Sequence, residues 1–123
     1  MWKIVFCRSD SGREPVKEFM EKKLNNNQKA KLRARLQLLA EHGPTMAEEY
    51  PKALKRLTGK QYRSLYEIRI ANDQLRVFLF FHEDLAVLTH AITKAGKGDK
   101  TIRNHYDTAL NRRNNWLQRR SDA

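Results

Sequence analysis

Arg69, Arg76 and His90 are the residues of this sequence whose types and spacing are best suited to chemistry. An arginine guanidinium binds a phosphate group through two parallel hydrogen bonds, and a histidine with an ordinary pKa near ~6.5 exchanges a proton at neutral pH. Lys94 is predicted to project from the same sheet face, and Glu67 is the one carboxylate of that face. These residue types predict a site that binds a phosphate group and stabilises charge developing on it.

The elements that carry these residues are three short strands. Strand-forming apolar runs at about 65–70, 75–81 and 85–92 are joined by connections too short for a crossover, so they predict an antiparallel meander. Alternate residues along a strand share a face. The apolar face, expected to pack on helices, is Tyr66, Ile68, Ile70, Leu75, Val77, Leu79, Phe81, Leu85, Val87, Thr89 and Ala91. The mixed face is Leu65, Glu67, Arg69, Arg76, Phe78, Phe80, Leu88, His90, Ile92 and Lys94.

The simplest register aligns the basic residues in one row. A four-residue connection sets Arg69 opposite Arg76, and a three-residue connection pairs Phe81 with Leu85, which sets Arg76 opposite His90. Like charges directly opposite each other on a sheet repel by tenths of a kcal/mol to about one, so the row suggests a bound anion. A register slip or a β-bulge would break the row.

Each candidate also has an ordinary structural explanation. Either arginine can form a salt bridge instead of binding a ligand, and the carboxylates considered for this are Glu67, Asp73 and Asp107. A single histidine such as His90 is more often partly buried and hydrogen-bonded than catalytic. The prediction therefore depends on the alignment of the residues and not on any one of them.

The remaining pattern predicts the rest of an α+β fold. A first strand is expected at 2–7, followed by a helix from Pro15 and a second helix at about 27–42, which form a hairpin packed on the small antiparallel sheet. Residues 51–63 are expected to be mostly a basic, solvated loop. A C-terminal helix is predicted at 100–118. The whole chain, 1–123, is interpreted as a single domain.

Composition narrows the class of protein. The 123 residues include 25 Lys and Arg against 14 Asp and Glu, a net charge of +11, which favours a polyanionic partner: nucleic acid first, an anionic membrane surface second. No apolar run approaches the ~18 residues of a membrane span. The single Cys7 and the absence of an export signal indicate a cytoplasmic protein.

Four segments, in order and spacing, resemble a known family: Lys55-Arg56-Leu57, Leu65-Tyr66-Glu67-Ile68-Arg69, Leu75-Arg76-Val77 and Leu88-Thr89-His90-Ala91-Ile92-Thr93-Lys94. They resemble the RelE/ParE toxin superfamily, specifically its HigB-like (phage gp49-like) branch. The resemblance implies an endoribonuclease that cuts mRNA, usually on the ribosome, and a small helix-turn-helix antitoxin as partner. It also implies that no cofactor is needed, and no metal-ligand spacing is found.

The resemblance also implies roles for particular residues. Arg69 and Arg76 would bind the RNA phosphate. The residue types themselves make His90 the candidate general base or acid, because of its ordinary pKa, and Glu67 the second candidate base. The family's paired lysines after the last strand are here Lys94-Ala95, with Lys97 further on. Lys94 and Lys97 are expected to position the RNA or to protonate the leaving group. The terminal tyrosine of some members has no clear match, since Tyr106 is expected to lie too far along the last helix. The residues expected to contact RNA are Lys55, Arg56, Lys60, Lys97, Lys100, Arg112 and Arg113.

Two other functions remain open at this point. A ParE-like toxin acting on DNA gyrase would share the fold without needing a ribonuclease site. A non-enzymatic nucleic-acid-binding module would be satisfied by the net charge alone.

Overall fold

The computed structural model describes residues 1–70, 74–93 and 99–122, without the side chains of 99, 100 and 122. Lys94 and Lys97 lie outside the described residues, as does the side chain of Lys100. The elements are β1 (Lys3–Phe6), α1 (Pro15–Lys23), α2 (Asn26–His42), α3 (Met46–Glu49), β2 (Leu54–Arg56), β3 (Leu65–Ile70), β4 (Leu75–His82), β5 (Leu85–Thr93) and α4 (Asp99–Asp122), with 3-10 turns at Gly43–Thr45 and Lys60–Tyr62.

The sheet has five strands in the order β1-β5-β4-β3-β2. The predicted meander of β3, β4 and β5 is present, and β2 adds an antiparallel edge strand beside β3. β1 pairs with β5 in parallel, so the sheet is mixed and not purely antiparallel. The α+β class is confirmed. Residues 51–63, expected to be mostly a loop, include the strand Leu54–Arg56, whose three residues are too few to show an alternating pattern.

The helix hairpin covers one face of the sheet, as predicted. Pro15 begins α1, and the side chain of Asn25 caps α2 by accepting a hydrogen bond from the Gln28 amide, while the Gln28 side chain accepts from the Asn25 amide. Leu32 and Leu39 of α2 are fully buried against the apolar residues of β3 and β4. α4 packs on the opposite face, so both sides of the sheet are covered.

The β4–β5 register differs from the prediction. The hairpin turn is only two residues, with Glu83 at a positive φ of 55°, and pairs His82 with Leu85. A bulge then places Phe78 opposite His90 but Leu79 opposite Leu88. Arg76 consequently faces Ile92, and the predicted row of three basic residues is wrong. Each irregularity shifts the pairing by one residue, so the two together keep His90 on its predicted face.

Between the two-residue turn and the bulge, the residues of β5 point to the opposite faces of the sheet from those predicted. Leu85 and Val87 pack with α4, whereas Leu88 packs with the helix hairpin, the reverse of the prediction. Thr89 is the extra residue of the bulge, and its hydroxyl donates a hydrogen bond to the Phe78 carbonyl (3.1 Å). Within the described part of the chain, no helix is both long and apolar enough to span a bilayer.

Candidate active site

A buried ion triad lies where β3 meets β4. Glu67 and Arg69 are two residues apart on β3 and share a face, and Arg76 lies directly opposite Arg69 on β4, as predicted. Arg69 donates from Nε and Nη2 to Oε1 of Glu67 (3.0 and 2.8 Å). Arg76 donates from Nη1 to both oxygens of the same carboxylate (3.3 and 3.0 Å). Of the two explanations the sequence left open for these arginines, the salt bridge to Glu67 is therefore present.

The members of the triad differ in their access to solvent. Glu67 and Arg76 are 1% and 3% exposed, so neither can meet a ligand directly in this conformation. The side chain of Arg69 is 23% exposed, which makes it the cation of the triad that an anion in solution can reach. Two guanidiniums share one carboxylate, so the triad keeps a net positive charge.

α4 brings Tyr106 to this triad. The Tyr106 ring packs edge-on against Phe78 and Tyr62, at 5.5 and 5.4 Å between ring centroids. Burial raises the pKa of Tyr106, and the Glu67 carboxylate raises it further, with the two arginines of the triad acting in the opposite direction. Tyr106 is therefore a protonated hydroxyl at neutral pH. The expectation that it lies too far along the helix is wrong, because α4 runs back across the sheet.

His90 belongs to a chain of hydrogen bonds next to the triad. Arg112 donates from Nη1 to Nδ1 of His90 (2.9 Å) and to the Thr89 carbonyl (3.0 Å). Because a guanidinium only donates, Nδ1 of His90 is the acceptor and its proton is on Nε2. Nε2 of His90 therefore donates to Nδ1 of His105 (2.8 Å). The imidazole lies nearly parallel to the rings of Phe78 and His105. We call this chain, Arg112–His90–His105, the histidine relay.

The relay keeps His90 neutral. Burial, with smaller contributions from the nearby Arg112 and His105, lowers the pKa of His90 from its ordinary 6.5 to about 3. Both ring nitrogens already have partners, so His90 offers neither a proton nor a free lone pair at neutral pH. The expected role of general base or acid therefore does not fit this geometry. Instead, His90 links β5 to α4.

Residues 18–114 match the family model for phage-derived Gp49-like proteins, and this range contains the triad, Tyr106 and the relay. The chain belongs to the Gp49-like family. This family is of the RelE toxin-like type, so the superfamily indicated by the sequence motifs is confirmed. A comparison with curated proteins finds no match.

The other expected RNA contacts of this Gp49-like protein have different surroundings. Arg112 is engaged in the relay, and the guanidinium of Arg113 lies over the Phe80 ring, 5.7 Å from its centroid. Both contribute to packing α4 against the sheet. Lys55, on β2 opposite Glu67, is exposed, and Arg56 and Lys60 line a groove at the β2 edge. Among the described residues, no group of three His, Cys, Asp or Glu side chains is arranged to hold a metal.

Sequence reasoning missed His105 and the proximity of Tyr106 to the arginines. A signal was present, because His105 is three residues after Ile102 and four before Ala109, both of which are buried. That spacing places His105 beside the buried stripe of α4. Asp107, named as a possible partner of the arginines, instead accepts a hydrogen bond from the Tyr62 hydroxyl.

Proposed function

We propose that this Gp49-like protein is the toxin of a type II toxin-antitoxin module of the HigB-like branch. In this proposal it is a cytoplasmic, metal-independent endoribonuclease that cuts ribosome-bound mRNA and so inhibits translation. Its neutralising partner is a helix-turn-helix antitoxin. The observation that carries the proposal is the triad: a buried carboxylate is hydrogen-bonded to an accessible guanidinium, Arg69, and the triad is near enough to Tyr106 to shift the pKa of its hydroxyl.

The reaction assigns a role to each group. The RNA 2′-oxygen forms a bond to phosphorus as the bond from phosphorus to the 5′-oxygen breaks, which gives a 2′,3′-cyclic phosphate and a 5′-hydroxyl. Arg69 binds the phosphate oxygens, on which negative charge increases in the transition state. Tyr106 gives its proton to the departing 5′-oxygen and regains one from water, while the proton of the 2′-hydroxyl passes to water.

Glu67 and Arg76 act as positioning residues in this proposal. Glu67, the second candidate for the base, already accepts hydrogen bonds from both arginines and is shielded from solvent. A preorganised guanidinium needs no reorientation as charge develops, and such preorganisation is a large contribution in many enzymes. Lys94 and Lys97 remain proposed contacts of the RNA or of the leaving group.

A second candidate function is favoured by the burial of Arg76. A guanidinium that is 3% exposed and paired with a carboxylate can serve the fold alone, as expected for a ParE-like inhibitor of DNA gyrase. Induction of the protein in cells separates the two functions when mRNA 5′-ends and the DNA-damage response are both measured. Ribonuclease activity predicts new mRNA ends without DNA damage, and gyrase inhibition predicts the reverse.

The matched variant for this experiment is Arg69→Gln. It removes the accessible cation and leaves the Arg76–Glu67 pair in place. We expect it to abolish the new mRNA ends and the growth inhibition while the thermal unfolding of the purified protein remains cooperative. Undiminished mRNA cleavage by a folded Arg69→Gln protein would refute the proposed role. Tight RNA binding without any cleavage by the wild type would assign a non-enzymatic binding module.

A further inference from the structure

A basic groove of about 490 Å³ lies at the β2 edge of the sheet, between the end of β2 and the 3-10 turn Lys60–Tyr62. Three cationic side chains line it, those of Arg56, Lys60 and Arg63, and the segment 57–59 forms the remainder of its wall. No lining residue is acidic, and the sequence from Pro51 to Leu65 contains no Asp or Glu. We call this site the β2 groove.

Arg56, one of the cations that line the β2 groove, is held in place by contacts within the protein. Nε of Arg56 donates a hydrogen bond to the Arg63 carbonyl, and its guanidinium lies over the Tyr66 ring, 5.8 Å from the centroid. The hydrogen bond closes the loop from 56 to 63, and Gly59 takes the turn of that loop at a φ of 104°. A guanidinium fixed in this way loses less entropy when it binds a phosphate group.

The β2 edge carries exposed cations on both faces of the sheet. Lys55 pairs in register with Glu67 and so lies on the face of the triad, whereas the adjoining Arg56 pairs with Tyr66 and lies on the other face. The Arg69 amide donates to the Ala53 carbonyl, so the same edge segment is bonded to the residue that holds the accessible guanidinium. Cations on both faces of this edge strand, at a segment bonded to Arg69, match a chain of phosphates better than a single free anion.

We propose that the β2 groove binds backbone phosphates of a single-stranded RNA on one side of the bond to be cut. The inference rests on the proposed function for the identity of the ligand. Phosphate contacts of this kind fix the register of a nucleic acid on a protein without reading its bases. The groove therefore contributes affinity and alignment, and the sequence of the RNA is not read there.

The test compares two double variants that change the charge equally. Lys60→Gln with Arg63→Gln alters the groove, and Lys31→Gln with Arg33→Gln alters the exposed side of α2; all four residues are exposed. Each pair takes the net charge from +11 to about +9. Arg56 is left unchanged because it packs on Tyr66. The ligand is a fluorescent single-stranded RNA with 2′-O-methyl groups, which cannot be cut by attack of the 2′-oxygen.

Binding is followed by fluorescence anisotropy over a series of salt concentrations, with urea unfolding as the control for folding. Each lost phosphate contact lowers the slope of log K against log salt by about 0.7 for single strands, so we expect a decrease of about 1.4 in the groove variant. The α2 variant should keep the wild-type slope. Equal changes in both variants would overturn the proposal, because only the overall charge would then matter.

Two further measurements separate this inference from the proposed function. A groove variant that binds the RNA like the wild type but loses affinity for polyglutamate would assign the groove to an acidic protein and overturn the proposal. Cleavage of unmodified RNA is measured independently. A folded Arg69→Gln protein that cuts normally would refute the ribonuclease mechanism and leave the binding result for the groove intact.

Discussion

Replacing His90 with glutamine tests whether the histidine relay holds this residue neutral. A glutamine amide can accept a hydrogen bond from Arg112 and donate one to His105, but it does not titrate. His90 has a pKa of about 3 in the folded protein, against 6.5 ordinarily. Between pH 3 and pH 6.5 the unfolded chain therefore binds more protons at His90 than the folded protein does. The contribution of neutral His90 to the stability of the folded protein is complete above pH 6.5 and is lost as the pH falls towards 3.

The magnitude follows from the two pKa values. Because proton binding at His90 is coupled to unfolding, the free energy of unfolding falls by at most about 1.4 kcal/mol for each pH unit of acidification. Between pH 7.5 and pH 5 the fall totals about 2 kcal/mol. Urea unfolding at several pH values measures it. Over this pH range we expect the unfolding free energy of the wild type to fall by about 2 kcal/mol more than that of His90→Gln, which lacks the titrating group.

The matched control is His82→Gln, since the side chain of His82 is a third exposed and contacts Glu83 instead of the relay. This variant should retain the acid sensitivity that His90 confers. If His90→Gln and the wild type lose equal stability on acidification, His90 is not held neutral and the assigned tautomers are wrong.

The remaining predictions concern the triad and the reaction. Glu67→Gln removes the charge between two guanidiniums, one of them buried, and should lower the unfolding free energy by about 3–5 kcal/mol in urea titrations; a loss below 1 kcal/mol would contradict the structural importance of the triad. Tyr106→Phe keeps the ring packing on Phe78 and removes the proton donor, so kcat for RNA cleavage should fall by about 10²-fold with little change in thermal stability. Unchanged kcat would exclude Tyr106 as the proton donor. Excess chelator should leave cleavage unaltered, and its loss would indicate a metal that this mechanism does not include.

The sequence predicts the order of elements better than their register. Alternating apolar residues mark β3, β4 and β5, and Pro15 marks the start of α1, because these signals are local. The β4–β5 register depends on a two-residue turn with Glu83 in the left-handed region, which non-glycine residues rarely adopt. The bulge at Thr89 has no local signal either. Nothing in the alternation of residues distinguishes such a strand from a regular one.

In the candidate site too, the features set by neighbouring residues in the sequence could be predicted, and those set by tertiary packing could not. The pairing of Arg69 with Arg76 follows from one short hairpin and could be predicted. The proximity of Tyr106 depends on how α4 crosses the sheet, which is decided by side-chain packing over a distance of many residues. The role expected for His90 does not fit its surroundings for a related reason, because the ordinary pKa of a histidine carries no information about burial beside Arg112.

The triad and the relay together tie the orientation of the site to the docking of α4. Burying Arg76 with Glu67 removes two charges from water, and such a pair contributes little net stability compared with apolar side chains of similar size. Its clearest effect here is on Arg69, which receives a fixed partner while remaining partly exposed. The relay bonds α4 to β5 through Arg112, six residues along the helix from Tyr106. A change that breaks the relay should therefore displace the Tyr106 hydroxyl relative to Arg69 without touching either residue.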